Sequence, residues 1–163
     1  MGSGGLGLGR QRIEEGRIVR ELDIRALTLT IYGEARGEDL EGKVAVANVV
    51  VNRLRKASWF AAGPERRFGV DIPPRTIAAV CLHNWQFSCW NRDDGDRLWA
   101  LWLTADRGAN WATMQTIATL GVDDMLRDVT NYATHYYAAR GLNAINPPYW
   151  VEGATFTRSI GNH

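Results

Sequence analysis

The sequence has few cysteines and histidines and no strong excess of charge of either sign. Its 163 residues include 2 cysteines and 3 histidines, and the 19 basic and 18 acidic residues give a formal net charge of +1. A chain this close to neutral carries no overall field that would attract nucleic acid or an anionic membrane surface. We therefore expect neither nucleic acid nor a membrane as its partner.

Long apolar runs are also missing. No stretch reaches the ~18 uncharged apolar residues that a transmembrane helix needs. The opening MGSGGLGLGR contains no continuous apolar segment of the kind found in signal peptides. We therefore expect a soluble chain, made in the cytoplasm and without membrane insertion. If its target lies outside the cell, another component must deliver it there.

The two cysteines, Cys81 and Cys89, lie eight residues apart in a stretch that also contains His83. They form no C-x-x-C pair, and two cysteines complete a four-ligand zinc site only with histidines from elsewhere. Two buried free thiols are the favoured interpretation, with a disulfide or a metal site as the alternatives. We predict no metal ion and no cofactor.

Tryptophan, by contrast, is abundant, with 7 residues in the chain. Most of them are expected to pack in the core, but indole rings also stack on the flat apolar faces of sugars. Trp85, Trp90 and Trp150 are candidate stacking platforms.

The length of the chain fits a single domain, since domains of ~100 to 150 residues are the commonest. Residues 1–16 are glycine-rich and have no apolar periodicity, which predicts a flexible tail. Residues 17–163 are then one domain.

Apolar spacing predicts several helices. A helix buried on more than one side is predicted over residues 21–35, and a second helix, capped by Asp39, carries one apolar stripe. A short helix over residues 76–83 follows a loop rich in glycine and proline. Helical spacing resumes over residues 98–103 and again over 111–120.

The last third of the chain changes character. Residues 132–137 and 155–160 are rich in aromatic and β-branched side chains, and the intervening GLNAINPPYW contains turn-forming residues. These features predict a small antiparallel pair of strands. The predicted fold class is therefore α+β, a mostly helical domain with a small antiparallel β element near the C-terminus.

Glu34 is the main candidate for chemistry. It follows the apolar run LTLTIYG at the end of the first predicted helix, and apolar surroundings favour the protonated form of a carboxyl group. A protonated carboxyl can deliver a proton to the leaving oxygen of a glycosidic bond. On chemistry alone, an exposed helix surface is the more common place for such a glutamate.

The segment around Glu34 resembles a known family. The run IYGEARGEDLEGKVAVANVVVNR, at 31–53, is similar to the opening signature of the spore cortex-lytic, or SleB-type, cell-wall hydrolases. Further segments match that family in the same order: WQFSCWN at 85–91, ATHYYA at 133–138, PPYW at 147–150 and SIGNH at 159–163. The QFSCW segment resembles the versions from proteobacterial phages and gene transfer agents more than those of spore enzymes.

The resemblance implies a lysozyme-like fold related to lytic transglycosylases, with peptidoglycan glycan strands as the substrate. It implies that Glu34 protonates the leaving oxygen between N-acetylmuramic acid and N-acetylglucosamine. As a base, Glu34 then helps the muramic acid C6 hydroxyl to close a 1,6-anhydro ring. No second carboxylate is needed, whereas a conventional glycosidase pair holds its carboxyl groups ~5 to 9.5 Å apart. A true muramidase, which begins with the same protonation, stays open.

Further candidate residues come from the matched segments. Glu38 matches a recurrent family position, and a structural ion-pair role and a second-carboxylate role are equally open. A strand through ATHYY would place Thr134 and Tyr136 on one face and His135 and Tyr137 on the other. We favour His135 and Tyr137 as substrate-positioning groups, the alternative being aromatic pairs that only stabilise a strand.

The WQFSCW and PPYW segments add substrate-binding candidates. Gln86 and Ser88 can hydrogen-bond the acetamido groups of a sugar, whereas Phe87 is expected in the core. Trp150 is a candidate binding residue through its ring. Asn52, on the second helix, is either a buried bridging amide or a site contact.

The resemblance also bears on where the protein acts. A single-domain enzyme without a wall-binding repeat fits an endolysin released by a holin at lysis, or a hydrolase carried on a phage-like particle. It would act in the cell wall or periplasm, as a monomer. Relatives commonly continue past the GNH segment with a few aromatic residues, which leaves any role of His163 open.

Two other functions fit parts of the sequence. A zinc-dependent peptidoglycan amidase could use His83, His135 and His163 with a carboxylate, although their segments lack H-E-x-x-H spacing. A non-catalytic wall-binding module could use the tryptophans to grip glycan.

Overall fold

The computed structural model describes residues 4–56, 63–104, 108–137 and 147–161. Its elements are α1 (Gly4–Ala35), α2 (Leu40–Arg55), β1 (Arg66–Arg67), β2 (Val70–Asp71), α3 (Ile77–Leu82), a 3-10 helix (Ser88–Trp90), α4 (Arg92–Thr104), α5 (Ala109–Val122) and a second 3-10 helix (Tyr149–Gly153). Strands β1 and β2 pair antiparallel. The predicted class, a mostly helical α+β domain with a small antiparallel element, is confirmed.

The position of the β element differs from the prediction. It lies between α2 and α3, and the two C-terminal segments predicted as strands, 132–137 and 155–160, are irregular in the structure. Side chains of α2 occupy the backbone groups that a strand partner would need. The carbonyls of Ala133 and Thr134 accept hydrogen bonds from Asn52 and Arg53, at 3.1 and 2.7 Å. The strand prediction for these segments is therefore wrong.

Helix α1 begins at Gly4, earlier than the predicted start at residue 21. The segment RQRIEEGRIVRE is rich in good helix formers despite the nearby glycines. The exposed Arg17 pairs with Glu14 and Glu21 one turn away on either side, both at 2.6 Å. Although α1 has 32 residues, no helix in the described part of the chain is apolar enough over a sufficient length to cross a membrane.

The core forms where the second half of α1 packs against α2, α3 and α5. Leu27, Leu29 and Ile31 of α1 are fully buried, and burying each such side chain stabilises the fold by roughly 1.5–3 kcal/mol. All six residues of α3 are buried as well. This packing holds the C-terminal end of α1 rigidly against the rest of the domain.

The predicted Asp39 cap of α2 is confirmed, and Thr76 caps α3 in the same way. The Asp39 carboxylate accepts a hydrogen bond from the Gly42 amide at 2.8 Å, and the Thr76 hydroxyl accepts one from the Ala79 amide at 3.1 Å. Each cap satisfies an amide that has no partner within its own helix.

Three of the tryptophans pack in the core as expected. Trp90, Trp99 and Trp111 are at most 8% exposed. Trp99 stacks on Phe68 with a centroid distance of 5.1 Å, and the Arg25 guanidinium lies 3.7 Å from the centre of the Trp99 ring. This aromatic cluster packs beside α1 and supports the helix that carries Glu34.

Candidate active site

Glu34 is half-exposed in the last turn of α1, and its carboxyl group is contacted by three donors. Oε1 accepts hydrogen bonds from the Cys89 amide at 2.9 Å and from the Ser88 hydroxyl at 3.2 Å. Oε2 accepts one from the Tyr136 hydroxyl at 3.1 Å. Two segments that are distant in sequence, 84–91 and 128–137, therefore meet at this carboxyl.

Arg53, in the last turn of α2, ties these two segments together. Its Nε donates to the Thr134 carbonyl at 2.7 Å and its Nη1 to the Gln86 carbonyl at 3.3 Å. The guanidinium also lies 4.7 Å from the centre of the Phe87 ring. Arg53 is only 5% exposed, so a buried side chain fixes the backbone on both sides of Glu34.

Arg53 also contributes a positive charge close to the site. Burial lowers the pKa of its guanidinium, while Tyr136, Cys81 and Glu34 act in the opposite direction. Sequence reasoning missed this residue. Its only signal was its position as the last residue of the matched run IYGEARGEDLEGKVAVANVVVNR.

Two asparagines one turn apart on α2 hold the 128–137 segment in place. The Asn52 amide donates to the Asp128 carboxylate at 2.7 Å and to the Ala133 carbonyl at 3.1 Å. The Asn48 side-chain oxygen accepts from the Val129 amide at 2.9 Å. Of the two alternatives for Asn52, the structure favours the buried bridging amide.

The groups around Glu34 stay in their neutral forms. Burial and the nearby Glu34 carboxyl hold the pKa of the Tyr136 phenol well above its usual range. The same two causes raise the pKa of the Cys89 thiol, and burial raises that of Cys81 to about 12. Both cysteines are free; Cys81 is buried and Cys89 half-buried.

The residues of the 84–91 segment that the sequence singled out lie in different environments. Ser88 contacts the Glu34 carboxyl directly. Gln86 is half-buried and contributes its carbonyl to Arg53. Phe87 is 2% exposed, which confirms its predicted place in the core.

Glu38 does not share a helical face with Glu34, because α1 ends at Ala35. Its carboxyl lies against the backbone of Gly161, near the end of the described chain. A Cβ atom added to Gly161 would be only 2.6 Å from Glu38 Oε2. The Glu38 carbonyl accepts a hydrogen bond from the Lys43 ammonium. These contacts favour the structural role for Glu38.

Three predicted binding residues come together beside Tyr136. His135, Tyr137 and Trp150 line a cavity of about 610 Å³, which Tyr136 also lines. The Trp150 ring lies 5.0 Å from that of His135 and 5.9 Å from that of Tyr137. Volumes of ~300–1,000 Å³ are typical of ligand pockets. Glu34 is not among the lining residues, and Tyr136 connects it to this cavity.

Tyr136 itself was not among the favoured residues. The predicted alternation placed it on the face opposite His135 and Tyr137, whereas in the structure one side chain of this run contacts Glu34 and the others line the cavity. Burial lowers the pKa of His135, and the nearby Arg53 and Lys56 lower it further. Its imidazole is therefore neutral at pH 7.

The three tryptophan candidates differ in their exposure to solvent. Trp90 is 1% exposed and donates from its indole nitrogen to the Thr30 hydroxyl at 3.0 Å, which makes it a core residue. Trp150 is half-buried in the cavity wall. Trp85 is 77% exposed, so its ring is open to a ligand.

The alternative of a zinc-dependent amidase depends on where the histidines lie. Within the described ranges, no group of three or more His, Cys, Asp or Glu side chains is placed to hold a metal ion. The His83 Nδ1 lies 3.1 Å from the Asn84 carbonyl, and His135 lines the large cavity. His163 lies outside the described residues. The groups that do converge are one carboxyl and three neutral donors, an arrangement suited to proton transfer.

Comparison with known proteins shows similarity to spore cortex-lytic enzymes. A spore cortex-lytic enzyme of Halalkalibacterium halodurans is 41% identical over 145 residues, which are 86% of this chain and 33% of that protein. Spore cortex-lytic enzymes of Oceanobacillus iheyensis and Bacillus subtilis are 47% and 45% identical over 58 residues, which are 36% of this chain. The aligned part is 20% and 18% of those two proteins.

The chain thus spans a third or less of the length of these relatives. No solved structure matches it. The sequence profile of the cell wall hydrolase family matches residues 37–163 and so begins just after Glu34. Because this match covers most of the chain, the protein belongs to the cell wall hydrolase family, the SleB-type family that its motifs resemble.

Proposed function

We propose that residues 17–163 form one catalytic domain that cleaves the glycan strands of peptidoglycan, with Glu34 as its catalytic acid. The observation that carries this proposal is the half-exposed Glu34 carboxyl, held by three neutral donors next to a cavity of about 610 Å³. Membership of the cell wall hydrolase family and the spore cortex-lytic relatives support the substrate.

The two carboxyl oxygens of Glu34 have different hydrogen-bond partners and therefore different roles in the proposed reaction. The Cys89 amide can only donate, so Oε1 remains an acceptor. The Tyr136 hydroxyl can donate to a carboxylate or, by rotation, accept from a protonated carboxyl. We therefore place the transferable proton on Oε2, on the side of the cavity.

The reaction uses the Glu34 carboxyl twice, first as an acid and then as a base. Glu34 gives it to the oxygen that joins N-acetylmuramic acid C1 to N-acetylglucosamine, and the C1–oxygen bond breaks with its electron pair going to that oxygen. The C6 hydroxyl of the muramic acid then bonds to C1, and its proton passes to the Glu34 carboxylate. The products are a free N-acetylglucosamine hydroxyl and a 1,6-anhydro end. In a muramidase, water would replace the C6 hydroxyl.

Two observations support the single-carboxylate route over a pair of carboxylates. The groups that contact Glu34 are a hydroxyl, an amide and a phenol. The Glu38 carboxyl lies against the Gly161 backbone. In this proposal His135, Tyr137 and Trp150 bind sugar rings in the large cavity, and Gln86 and Ser88, on the segment that contacts Glu34, hydrogen-bond the acetamido groups of the substrate.

The proposal extends to the setting in which the enzyme works. The domain acts as a monomer on the wall, without a cofactor, and a phage-like particle or a holin delivers it. The support for this delivery route is the similarity of QFSCW to the phage and gene-transfer-agent versions. Detecting the protein in purified particles or in a lysate released by a holin tests it.

Mass spectrometry of digested peptidoglycan tests the chemistry. The unmodified enzyme is expected to release muropeptides with anhydro ends, one water lighter than reducing ends. Glu34→Gln should release none while still sedimenting with the wall, and Glu65→Gln, a change at an exposed glutamate elsewhere, should behave like the unmodified enzyme. Full cleavage by Glu34→Gln would remove Glu34 from the mechanism, and hydrated ends alone would replace cyclisation by hydrolysis.

A further inference from the structure

A second, smaller recess lies along the 84–91 segment. It has a volume of about 300 Å³ and is lined by Arg67, Asn84, Trp85, Trp90 and Asn91. None of these residues lines the large cavity beside Tyr136. We propose that this Trp85 recess is a binding subsite for an N-acetylated hexosamine of the glycan strand. The inference rests on the proposed function.

The conformation of Trp85 presents its ring to solvent. The side chain is 77% exposed, and the backbone φ of 65° is in the left-handed region, which is uncommon for a bulky residue. The Gln86 amide donates to the His83 carbonyl at 3.3 Å and closes the turn around it. Strained residues of this kind cluster at ligand sites, and an exposed indole offers a stacking surface for the apolar face of a sugar.

Polar groups beside the ring fit the substituents of an acetamido sugar. Asn84 and Asn91 each carry an amide with two donor hydrogens and one acceptor oxygen. Such amides can bond both the hydroxyl groups and the acetamido group of a hexosamine. The combination of one open aromatic face and flanking amides favours a carbohydrate over a purely apolar ligand.

Arg67 fixes the shape of the recess before any ligand arrives. Its guanidinium donates to the Leu82 carbonyl at 2.8 Å and to the Trp90 carbonyl. These bonds connect the end of α3 to the 3-10 helix Ser88–Trp90. A preformed site loses less entropy on binding.

The Trp85 recess and the proposed catalytic site are both built on the 84–91 segment. Ser88 and Cys89, on the same short segment as Trp85, contact Oε1 of Glu34. The large cavity adjoins Oε2 through Tyr136. In this proposal a glycan strand bound past Glu34 reaches both the large cavity and the Trp85 recess, so longer strands should gain contacts with Trp85.

Binding of N-acetylglucosamine oligomers to the Glu34→Gln protein tests this subsite without cleavage. Calorimetric titration with the dimer and the hexamer is expected to show tighter binding of the hexamer. Adding Trp85→Ala should weaken hexamer binding about tenfold and leave dimer binding unchanged, and Trp85→Phe should retain most of the affinity. Tyr149→Ala, which removes another aromatic ring that is 92% exposed, should bind both oligomers normally.

The outcomes separate the subsite from the proposed function. The subsite proposal is overturned if Trp85→Ala leaves hexamer binding unchanged, or if the Glu34→Gln protein binds no oligomer. Loss of cleavage in Glu34→Gln would still support Glu34 as the acid in that case. Normal cleavage by Glu34→Gln overturns the proposed function whatever the binding data show. Thermal unfolding of each variant confirms that the fold is intact.

Discussion

A Cβ atom on Gly33 would lie 2.4 Å from the Cβ of Cys89 and 2.8 Å from its Sγ. Carbon atoms do not approach this closely, so glycine at position 33 lets the 3-10 helix Ser88–Trp90 lie directly against α1. This close packing brings the Cys89 amide within 2.9 Å of Glu34 Oε1. The residue before the proposed catalytic acid therefore controls the position of one of its donors.

Gly33→Ala should impair catalysis by pushing Cys89 away from Glu34. A hydrogen bond to a charged group contributes ~1.5–3 kcal/mol, so its loss should lower kcat at least about tenfold. The overlap should also destabilise the fold by ~1–3 kcal/mol, offset by up to ~1 kcal/mol because alanine favours helix. Clearing of a wall suspension and urea unfolding measure the two effects.

The double variant Gly33→Ala with Cys89→Gly provides the control. Removing the Cβ and Sγ of Cys89 makes room for the alanine while the residue 89 amide is kept. Activity should recover toward that of Cys89→Gly alone. If Gly33→Ala were as active as the unmodified enzyme, close packing at this position would not govern the donor.

Tyr136→Phe should lower kcat about 10- to 100-fold with little change in KM. The variant removes the only group that the structure places on Glu34 Oε2 among the described residues, at 3.1 Å, and hydrogen bonds to charged groups contribute ~1.5–3 kcal/mol. Tyr149→Phe, at an exposed position, is the matched control. A rise in KM with unchanged kcat would instead assign Tyr136 to substrate binding.

The raised pKa of Tyr136 gives this prediction a second measurement. Its phenol should remain protonated above pH 10, where an ordinary tyrosine ionises. Ultraviolet titration of the folded protein at pH 10 to 11 should count the same number of phenolates before and after Tyr136→Phe. One phenolate fewer in the variant would show that Tyr136 ionises normally.

Helices and caps could be predicted because their signals are local. Asp39 caps its own helix, and the apolar stripe of α2 follows the helical period. Glu34 could be placed at the end of α1 because helix pattern and family motif agree. The start of α1 could not be predicted from the sequence. Its glycines suggested a flexible tail, whereas the charged residues between them stabilise a helix.

The contacts of the site could not be predicted, because they join distant parts of the chain. Tyr136 lies 102 residues from Glu34, and Arg53 bonds the carbonyl of a residue 81 positions away. The alternation rule assumes a strand. The 128–137 segment instead follows a path fixed by the side chains of Asn48 and Asn52, which composition does not reveal.

Arg53→Met should lower kcat more than it raises KM. The substitution leaves the carbonyls of Thr134 and Gln86 without their donor and removes a buried positive charge near Glu34. Each unsatisfied buried acceptor costs ~1–3 kcal/mol, so the fold should be destabilised as well. Arg53→Lys keeps the charge and one donor, and should recover part of kcat.

Comparing the two Arg53 variants separates positioning from stability. Both are assayed at a temperature well below their unfolding transitions, so that the folded fraction is the same. A higher kcat for Arg53→Lys then reports the effect of the charge on Glu34 and its donors. Equal kcat values for the two variants would reduce Arg53 to a purely structural role.

Asp23 should make the stability of the fold depend on pH. It is 8% exposed, and its carboxyl accepts a hydrogen bond from the Ala78 amide at 2.7 Å. Burial raises the pKa of Asp23 to about 6, against the opposing effect of the Ala78 and Ile77 amides. In the unfolded chain the Asp23 carboxyl ionises near pH 4. Between about pH 4 and pH 6 the folded state therefore holds a proton that the unfolded state releases. The resulting stability is fully present below about pH 4 and is lost as the pH rises through 6.

The Asp23→Asn variant isolates this contribution. Asparagine keeps an oxygen acceptor for the Ala78 amide but does not titrate. The free energy of unfolding of the variant, minus that of the unmodified protein, should therefore increase between pH 4 and pH 7 by on the order of 2 to 3 kcal/mol. Urea unfolding at several pH values measures it, and other titrating groups cancel in the difference. A difference that stays constant over this range would mean that Asp23 ionises at its ordinary pH despite its burial.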